Sequence, residues 1–431
     1  MPDKGTTTTR ELLTSMFWSA VGAAHPRNCL PPHLPEPPAR GRLVILAAGK
    51  AAGSMTEIAE HRYAGLPQER IAGLAVTRHG YRRPTQRIPV IEAGHPVPDK
   101  TGISATKRTL ALADAVDADD LVLVLLSGGA SANWIAPIPG LALEEKQAVT
   151  RALLKSGADI GEMNAVRKHL SRIKGGRLAK RAHPAKLVTL AISDVPGDDP
   201  SVIGSGPTVP DPTTLAQARE VVARYRLDLP EAVARALGDP ANETPKFGDP
   251  AFARTDYRIV ARPSDALEAA EERARAAGYD CVTLGDRVQG EARDVAAEHA
   301  RMALKFAAEG RRVAILSGGE LTVTLRGNGR GGPNQEYALA LALHLDDAPG
   351  ISALVADTDG TDGGGGRPDD PAGAFVDPTT VGRARAAGLV PAAFLADNNS
   401  TGFFNGIGDL FRPGPTFTNV TDFRVILVDT R

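Results

Sequence analysis

Cysteine is scarce in this chain. Cys29 and Cys281 are the only two in 431 residues. Two thiols so far apart in sequence supply neither a disulfide framework nor a cysteine-based zinc site, and they fit a reducing cytosol. Long hydrophobic runs are missing as well. No stretch approaches the roughly 20 apolar residues that a membrane-crossing helix needs. Net charge is almost nil, with 50 Lys and Arg against 51 Asp and Glu and a formal charge of -1. That balance argues against a nucleic-acid face or a polybasic membrane anchor. The opening segment does not read as a signal peptide. Its apolar positions Leu12, Leu13, Met16, Phe17, Ala20 and Val21 recur at helical spacing, broken by Arg10 and Glu11, as in an amphipathic helix capped near Thr9.

What is present is enough apolar material for a sizeable core, 42% of residues, together with 45 Gly and 33 Pro that call for many sharply shaped loops. The length suggests two or three domains. Strand-like runs alternate with helix-like runs over most of the chain. Residues 42–49, 71–77, 87–94, 121–127 and 186–193 read as strands, with helices from near Ala51 and at about 103–117, 143–158 and 161–181. Continuous apolar runs such as "LVLVLLS" suit strands buried on both faces, so the pattern reads as α/β with a largely parallel sheet. The polar, Pro- and Gly-rich stretch 236–255 reads as a linker or inserted loop. After it the alternation resumes, with "RVAILSGG" and "LTVTLRG" expected to form a hairpin, a helix over "NQEYALALALHL", and strands at 351–357 and 422–428.

Several strand ends stop in glycine, lysine or acid, where ligands gather in an open α/β sheet. In "VILAAGKAAGSM" a strand ends at Ala48, Gly49 turns, and Lys50 opens a helix. Such a lysine is either solvated or an anion partner beside the helix N-terminus. The spacing is not that of a P-loop. "SGGASANW" brings Ser127, Gly128, Gly129 and Ser131, which can form an ordinary βα turn or an anion nest. Along 163–179, Asn164, Arg167, Ser171, Lys174 and Leu178 fall on one stripe of a helix, a solvated face or an anion-binding wall. Arg167, Lys168 and Lys174 would be its carboxylate anchors. "ISDVPGDDPSVIGSGPT" delivers Asp194, with Asp198 and Asp199 close behind; clustered carboxylates suit Mg²⁺ or plain turn chemistry. In the C-terminal half, "RGNGRGGPNQEY" places four glycines and Arg330 ahead of a helix with Pro333 first, and "DTDGTDGGGG" puts Asp357, Asp359 and Asp362 after a strand.

Taken in order, "AAGKAAGSM", "GHPVPD", "LLSGGAS", "NAVRKHLSRIKGGRLA", "SDVPGDDPSVIGSGPT", "GGPNQE" and "DTDGTDG" resemble the type II glycerate kinase family, whose C-terminal region is the MOFRL domain. The resemblance implies a large Rossmann-like N-terminal domain over 1–245 and a smaller α/β domain over 246–431, with the MOFRL region at about 311–420 and the active site in the cleft between the domains. It implies a cytoplasmic enzyme that moves the ATP γ-phosphoryl to O2 of D-glycerate with Mg²⁺, giving 2-phosphoglycerate and ADP. A hydroxypyruvate reductase, or a kinase giving 3-phosphoglycerate, is the alternative. ATP and D-glycerate are the partners it implies, with a homodimer allowed and neither nucleic acid nor membrane involved. Lys50 matches the family's catalytic lysine. Arg330 is the candidate catalytic arginine, because Pro333 stands where many relatives carry one. Ser127, Gly128, Gly129, Ser131, Asn164, Arg167 and Lys174 would bind nucleotide or substrate from the large domain. Gly331, Gly332, Asn334 and Glu336 would do so from the small one, and Asp194 and Asp359 would hold the metal.

Overall fold

The computed structural model describes residues 8–363, 367 and 369–429, which fall into two compact units, one of residues 30–260 and one joining the segment up to Cys29 to residues 261–429. In the first unit, strands β1 (Leu43–Ala48), β2 (Ile71–Arg78), β3 (Val90–Ala93), β4 (Leu121–Leu126), β5 (Lys186–Ile192) and β6 (Thr255–Ala261) form a sheet ordered β3-β2-β1-β4-β5-β6. The pairs from β3 to β5 are all parallel, in the order of a Rossmann sheet. Every residue of β1 and β4 is buried, as continuous apolar runs demand when both faces are covered.

The second unit adds β7 (Asp280–Thr283), β8 (Val288–Glu291), β9 (Val313–Ser317), β10 (Gly319–Thr322), β11 (Ile351–Asp357), β12 (Gly373–Val376), β13 (Leu410–Phe411) and β14 (Asp422–Val428). Six of them make a sheet ordered β13-β12-β11-β14-β9-β7, and β10 pairs with β8 apart from it. This sheet is mixed rather than parallel: β11 runs antiparallel to β12 and β14, and β9 antiparallel to β14.

Three expectations from the sequence need correction. The hairpin after residue 313 does not form. Both edges of β9 are taken, by β14 and β7, and Gly319, at φ +99°, turns the chain away so that β10 lies parallel to β8, tight against Val288. The helix expected over 161–181 breaks into Ile160–His169 and Arg177–Ala182. Gly175 and Gly176 between them hold φ of +58° and +78°. A Cβ on Gly176 would stand 2.7 Å from the Phe252 ring, a position only glycine tolerates. The stretch 236–255 is not a free linker. Asp211 N–H donates to Pro245 O at 3.0 Å and Arg177 Nη2 to Asn242 O at 2.7 Å, and the chain then enters β6. The unit boundary therefore falls at 260/261 rather than 245/246, and the N-terminal helix Thr9–Ala24 belongs with the C-terminal unit.

That helix starts at a capping box between Thr8 and Glu11. Its apolar stripe buries Leu12, Leu13, Met16, Phe17, Ala20 and Val21. Phe17 meets Phe411 edge-on with centroids 4.9 Å apart and Phe423 at 6.0 Å. Phe17→Ala should destabilise the C-terminal unit by about 3–5 kcal/mol. Hydrogen exchange would show amides of β11 and β14 losing protection while β1 and β4 keep theirs; equal loss in both units would contradict this assignment of the helix.

Candidate functional site

The sheet order reverses between β1 and β4, so their adjacent carboxyl ends define the crevice where an open α/β sheet takes its ligand. Gly49, at φ +117°, ends β1 hard against Ser127. Lys50 N–H donates to Gly128 O at 2.8 Å, and Ala51 N–H donates to Ser127 Oγ at 2.9 Å. The two strand ends are thus stitched together, with Ser127, wholly buried, as a structural tie. Gly129 has φ +84°. A Cβ there would lie 3.0 Å from His95 Nε2 and 3.3 Å from Lys50 Cγ. Both side chains therefore lean over this glycine, and a larger residue would push them apart.

Past the turn, Ser131 is the centre of a polar cluster assembled from three chain segments. Lys174 Nζ donates to Ser131 O at 2.6 Å and touches Ser131 Oγ. Ser205 Oγ stands 2.8 Å from Ser131 Oγ, and Arg167 Nη2 reaches it at 3.3 Å. Asn164 Oδ1 accepts from Arg167 Nη1 at 3.4 Å. Ser131, Lys146, Arg151, Arg167 and Lys174 line one cavity of about 340 Å³, and no carboxylate is among its lining residues. Burial and like-charged neighbours shift these groups. Burial first, and then repulsion from Arg167 and Arg177, brings Lys146 down to about 7. Lys174 lies well below the ordinary lysine range, again from burial first and then from Arg167, Lys146 and Lys168. Cations crowded without acids form a site poised for an anion.

Arg167 and Lys174 thus meet, but through a loop and not through a shared helical stripe, and Lys168 does not join them. It is paired with buried Asp211 at 3.2 Å. Asp194 follows β5 and lies near Asp199 and the buried Tyr257 hydroxyl, whose pKa is raised by burial and then by these two acids. His95, Ser205 and Lys146 carried no assigned role in the sequence reading. The first two lie inside the quoted motifs "GHPVPD" and "SDVPGDDPSVIGSGPT", whereas Lys146 sits in the first turn of the helix Leu143–Ser156 with no local signal.

In the other unit, Arg330 lines a cavity of about 310 Å³ with Arg367, Arg412, Asn399, Thr401 and the acids Asp369 and Asp370, both of which pair with Arg367. Gly331 is pressed against Ser400, and Gly332 against Asp362. The remaining candidates brace the fold. Glu336 is 2% exposed; it pairs with Arg293 and accepts from Asn398 Nδ2 at 3.1 Å. Asn334 Nδ2 donates to Asp422 at 2.6 Å and to Asp362 at 3.3 Å. Asp422 in turn holds Arg424 at 2.8 Å, and Arg424 donates to Ser317 Oγ at 3.1 Å and to Gly318 O. The second Ser-Gly-Gly is therefore anchored by a buried arginine that the sequence reading did not single out. Asp359 is buried, and its Oδ1 accepts from Thr361 N–H at 2.7 Å. No group of three or more His, Cys, Asp or Glu residues able to hold a metal ion occurs among the described residues.

These features define an α/β protein with a Rossmann-ordered unit that gathers cations in a cavity beside the strand-end turn after β4. A model described as a domain of unknown function, DUF4147, matches residues 12–238, and the MOFRL family model matches residues 313–422. The chain belongs to the DUF4147–MOFRL family, the type II glycerate kinases. It is 49% identical, over 97% of its length and 94% of the relative's, to an Agrobacterium vitis protein provisionally named a hydroxypyruvate reductase. It is 39% identical to the D-glycerate 2-kinase of Thermotoga maritima, over 90% of this chain and 91% of that one. The crystal structure of a glycerate kinase from Thermotoga maritima superposes with a TM-score of 0.84 at 36% identity, covering 97% of this chain and 99% of that one.

Asp362 accepts N–H bonds from Asn334 and Gln335 at the start of the helix Pro333–Leu345, yet burial outweighs them and, with help from Asp422, raises its carboxyl to about 7. A raised acid favours the fold fully below the unfolded carboxyl's pKa, about 4, and that contribution is lost as pH rises through 7. Urea unfolding over this range should show the native chain losing stability relative to Asp362→Asn as pH rises. Parallel curves would show that Asp362 is ionised throughout.

Proposed function

We propose that this protein is an ATP-dependent kinase that phosphorylates D-glycerate at O2, giving 2-phosphoglycerate and ADP. The observation that carries the reading is the acid-free, cation-lined cavity beside Ser131, next to the strand-end turn that presents Lys50. The names of the Thermotoga maritima relatives supply the substrate class. In this reading Arg167 and Lys174 hold the glycerate carboxylate. The C2 hydroxyl, adjacent to that carboxylate, then lies nearest the phosphate at Lys50. Phosphoryl transfer asks mainly for positioning and charge neutralisation. Lys50 supplies charge at the transferring phosphate, the Gly128 and Gly129 turn allows close backbone approach, and Arg330 is the C-terminal unit's candidate phosphate partner.

Magnesium would neutralise nucleotide phosphate charge. Asp194, half-buried after β5, fits a single carboxylate ligand to an ion held otherwise by phosphate and water. Asp359, 1% exposed and engaged by Thr361, does not. Asp194→Asn should raise the Mg²⁺ concentration for half-maximal rate; unchanged Mg²⁺ dependence would remove Asp194 from the site. A cytoplasmic location, and action on small molecules without nucleic acid or membrane, complete the reading.

The hydroxypyruvate reductase alternative rests on the name of the Agrobacterium vitis relative. The β1 turn, Ala-Ala-Gly-Lys-Ala-Ala-Gly, lacks the glycine spacing of a dinucleotide fingerprint. Incubation with ATP, Mg²⁺ and D-glycerate should form ADP, and enolase without phosphoglycerate mutase should turn the product into phosphoenolpyruvate. NADH oxidation with hydroxypyruvate and no ADP formation would instead establish the reductase. Lys50→Ala should cut the kinase rate about 10²–10³-fold, the loss of about 3–4 kcal/mol expected for one preorganised charge.

A further inference from the structure

We propose that Ser131, Lys174 and Ser205, in the same cavity that is read above as the glycerate site, also form a serine–lysine hydrolytic centre for esters of short aliphatic acids. The proposal does not depend on the kinase reading. It stands on the cluster itself, since four polar groups converge on one hydroxyl oxygen. Lys174 Nζ touches Ser131 Oγ, Ser205 Oγ lies 2.8 Å from it and Arg167 Nη2 3.3 Å.

A lysine acts as a general base only when neutral. Lys174 is 1% exposed, and its partners among the described contacts are oxygens of Ser131 and Ser205, with no carboxylate to fix its charge. The nearby charges acting on it are Arg167, Lys146 and Lys168, all of one sign, and burial adds to their effect. A neutral amine is fully satisfied here. As an ammonium, Nζ donates to Ser131 O, Ser131 Oγ and Ser205 Oγ; once neutral, two N–H groups still serve Ser131 O, at 2.6 Å, and Ser205 Oγ, at 3.5 Å, and the lone pair is left for the Ser131 hydroxyl proton. The serine follows the Gly128-Gly129 turn at the end of β4, and it lines the cavity rather than the core. Pro96, Pro98, Ile135 and Leu143 give that cavity apolar walls, with Val97 and Leu154 exposed on its lining. Such walls suit an uncharged acyl chain and are not required by a molecule as polar as glycerate.

In the reaction, Lys174 takes the Ser131 proton as Oγ bonds to the ester carbonyl carbon. The carbonyl π pair moves onto its oxygen, whose charge Arg167 offsets. The C–O bond to the alcohol then breaks, and Lys174 returns the proton to the leaving alkoxide. Water attacks the resulting acyl-Ser131, again giving a proton to Lys174. As the C–Oγ bond breaks that proton returns to Oγ, and a carboxylic acid is released. One ester and one water become one acid and one alcohol, with no further reactant.

The test uses the full chain with p-nitrophenyl acetate and p-nitrophenyl butyrate, reading p-nitrophenol release and, on quenched samples, an acyl adduct by peptide mass. The expected result is saturable turnover with the adduct on Ser131. Ser131→Ala and Lys174→Met should each lower the rate about 100-fold or more, and the rate should climb with pH as Lys174 loses its proton. Ser131→Cys, a near-isosteric change, should still acylate at position 131, which separates loss of the nucleophile from loss of the fold. Turnover that survives Ser131→Ala, or an adduct found only on other residues, would overturn the proposal. So would the absence of both turnover and adduct in the native chain, whatever ADP formation with glycerate shows.

Discussion

The contact between the ends of β1 and β4 is the constraint on which the N-terminal unit's chemistry depends. Parallel strands at an order reversal send their following segments to opposite faces and leave a gap at their carboxyl ends. Gly49 and Gly129 adopt left-handed φ there, and Ser127 Oγ ties the two turns by accepting from Ala51. A side chain at either glycine would strike Ser127 or His95. The tie brings together the turns that carry Lys50 and Ser131, 81 residues apart in sequence.

Charge is the second organising factor. Elsewhere in the unit, cations have acid partners: buried Lys168 with Asp211, and half-exposed Arg42 with buried Asp120 at 2.9 Å. Around the Ser131 cavity Lys146 and Lys174 have oxygens of neutral groups as partners and no acid among the described lining residues, and desolvation pulls both toward the neutral state. The same crowding makes the cavity attractive to a carboxylate and pulls its lysines toward the neutral form that can accept a proton. One arrangement therefore supports both the anion-binding role and the proposed nucleophile.

The C-terminal unit is built differently, with buried Arg424 paired to Asp422 and buried Glu336 paired to Arg293. Arg424, Asp422, Asn334 and Asp362 form a continuous chain of hydrogen bonds from the Ser317–Gly318 turn to the first turn of the helix Pro333–Leu345. That chain explains why so many motif residues of this unit are buried. Asn334, Glu336 and Asp362 hold the glycine loop and the helix in place, and Arg330 is the motif residue that reaches a cavity.

Much of the fold was legible in the sequence, because period and length are local properties. The apolar runs at 42–49, 121–127 and 186–193 became buried strands within a residue or two, and the helical spacing of Leu12 to Val21 became one face of a real helix. The ordered motifs sufficed to identify the family. Pairing was not legible. β9 and β10 sit close in sequence like a hairpin, but the partners already beside β9 and the φ of Gly319 sent them to different sheets. Nor could spacing show that Lys168 turns toward Asp211 while Lys174 turns toward Ser131, since the helix break at Gly175 and Gly176 answers to packing against Phe252 and Asp211. The sequence by itself determined the elements, the glycine-ended strands and the supply of cations. Only the tertiary structure decided which cations meet without a counter-charge, because desolvation and repulsion arise from neighbours distant in the chain.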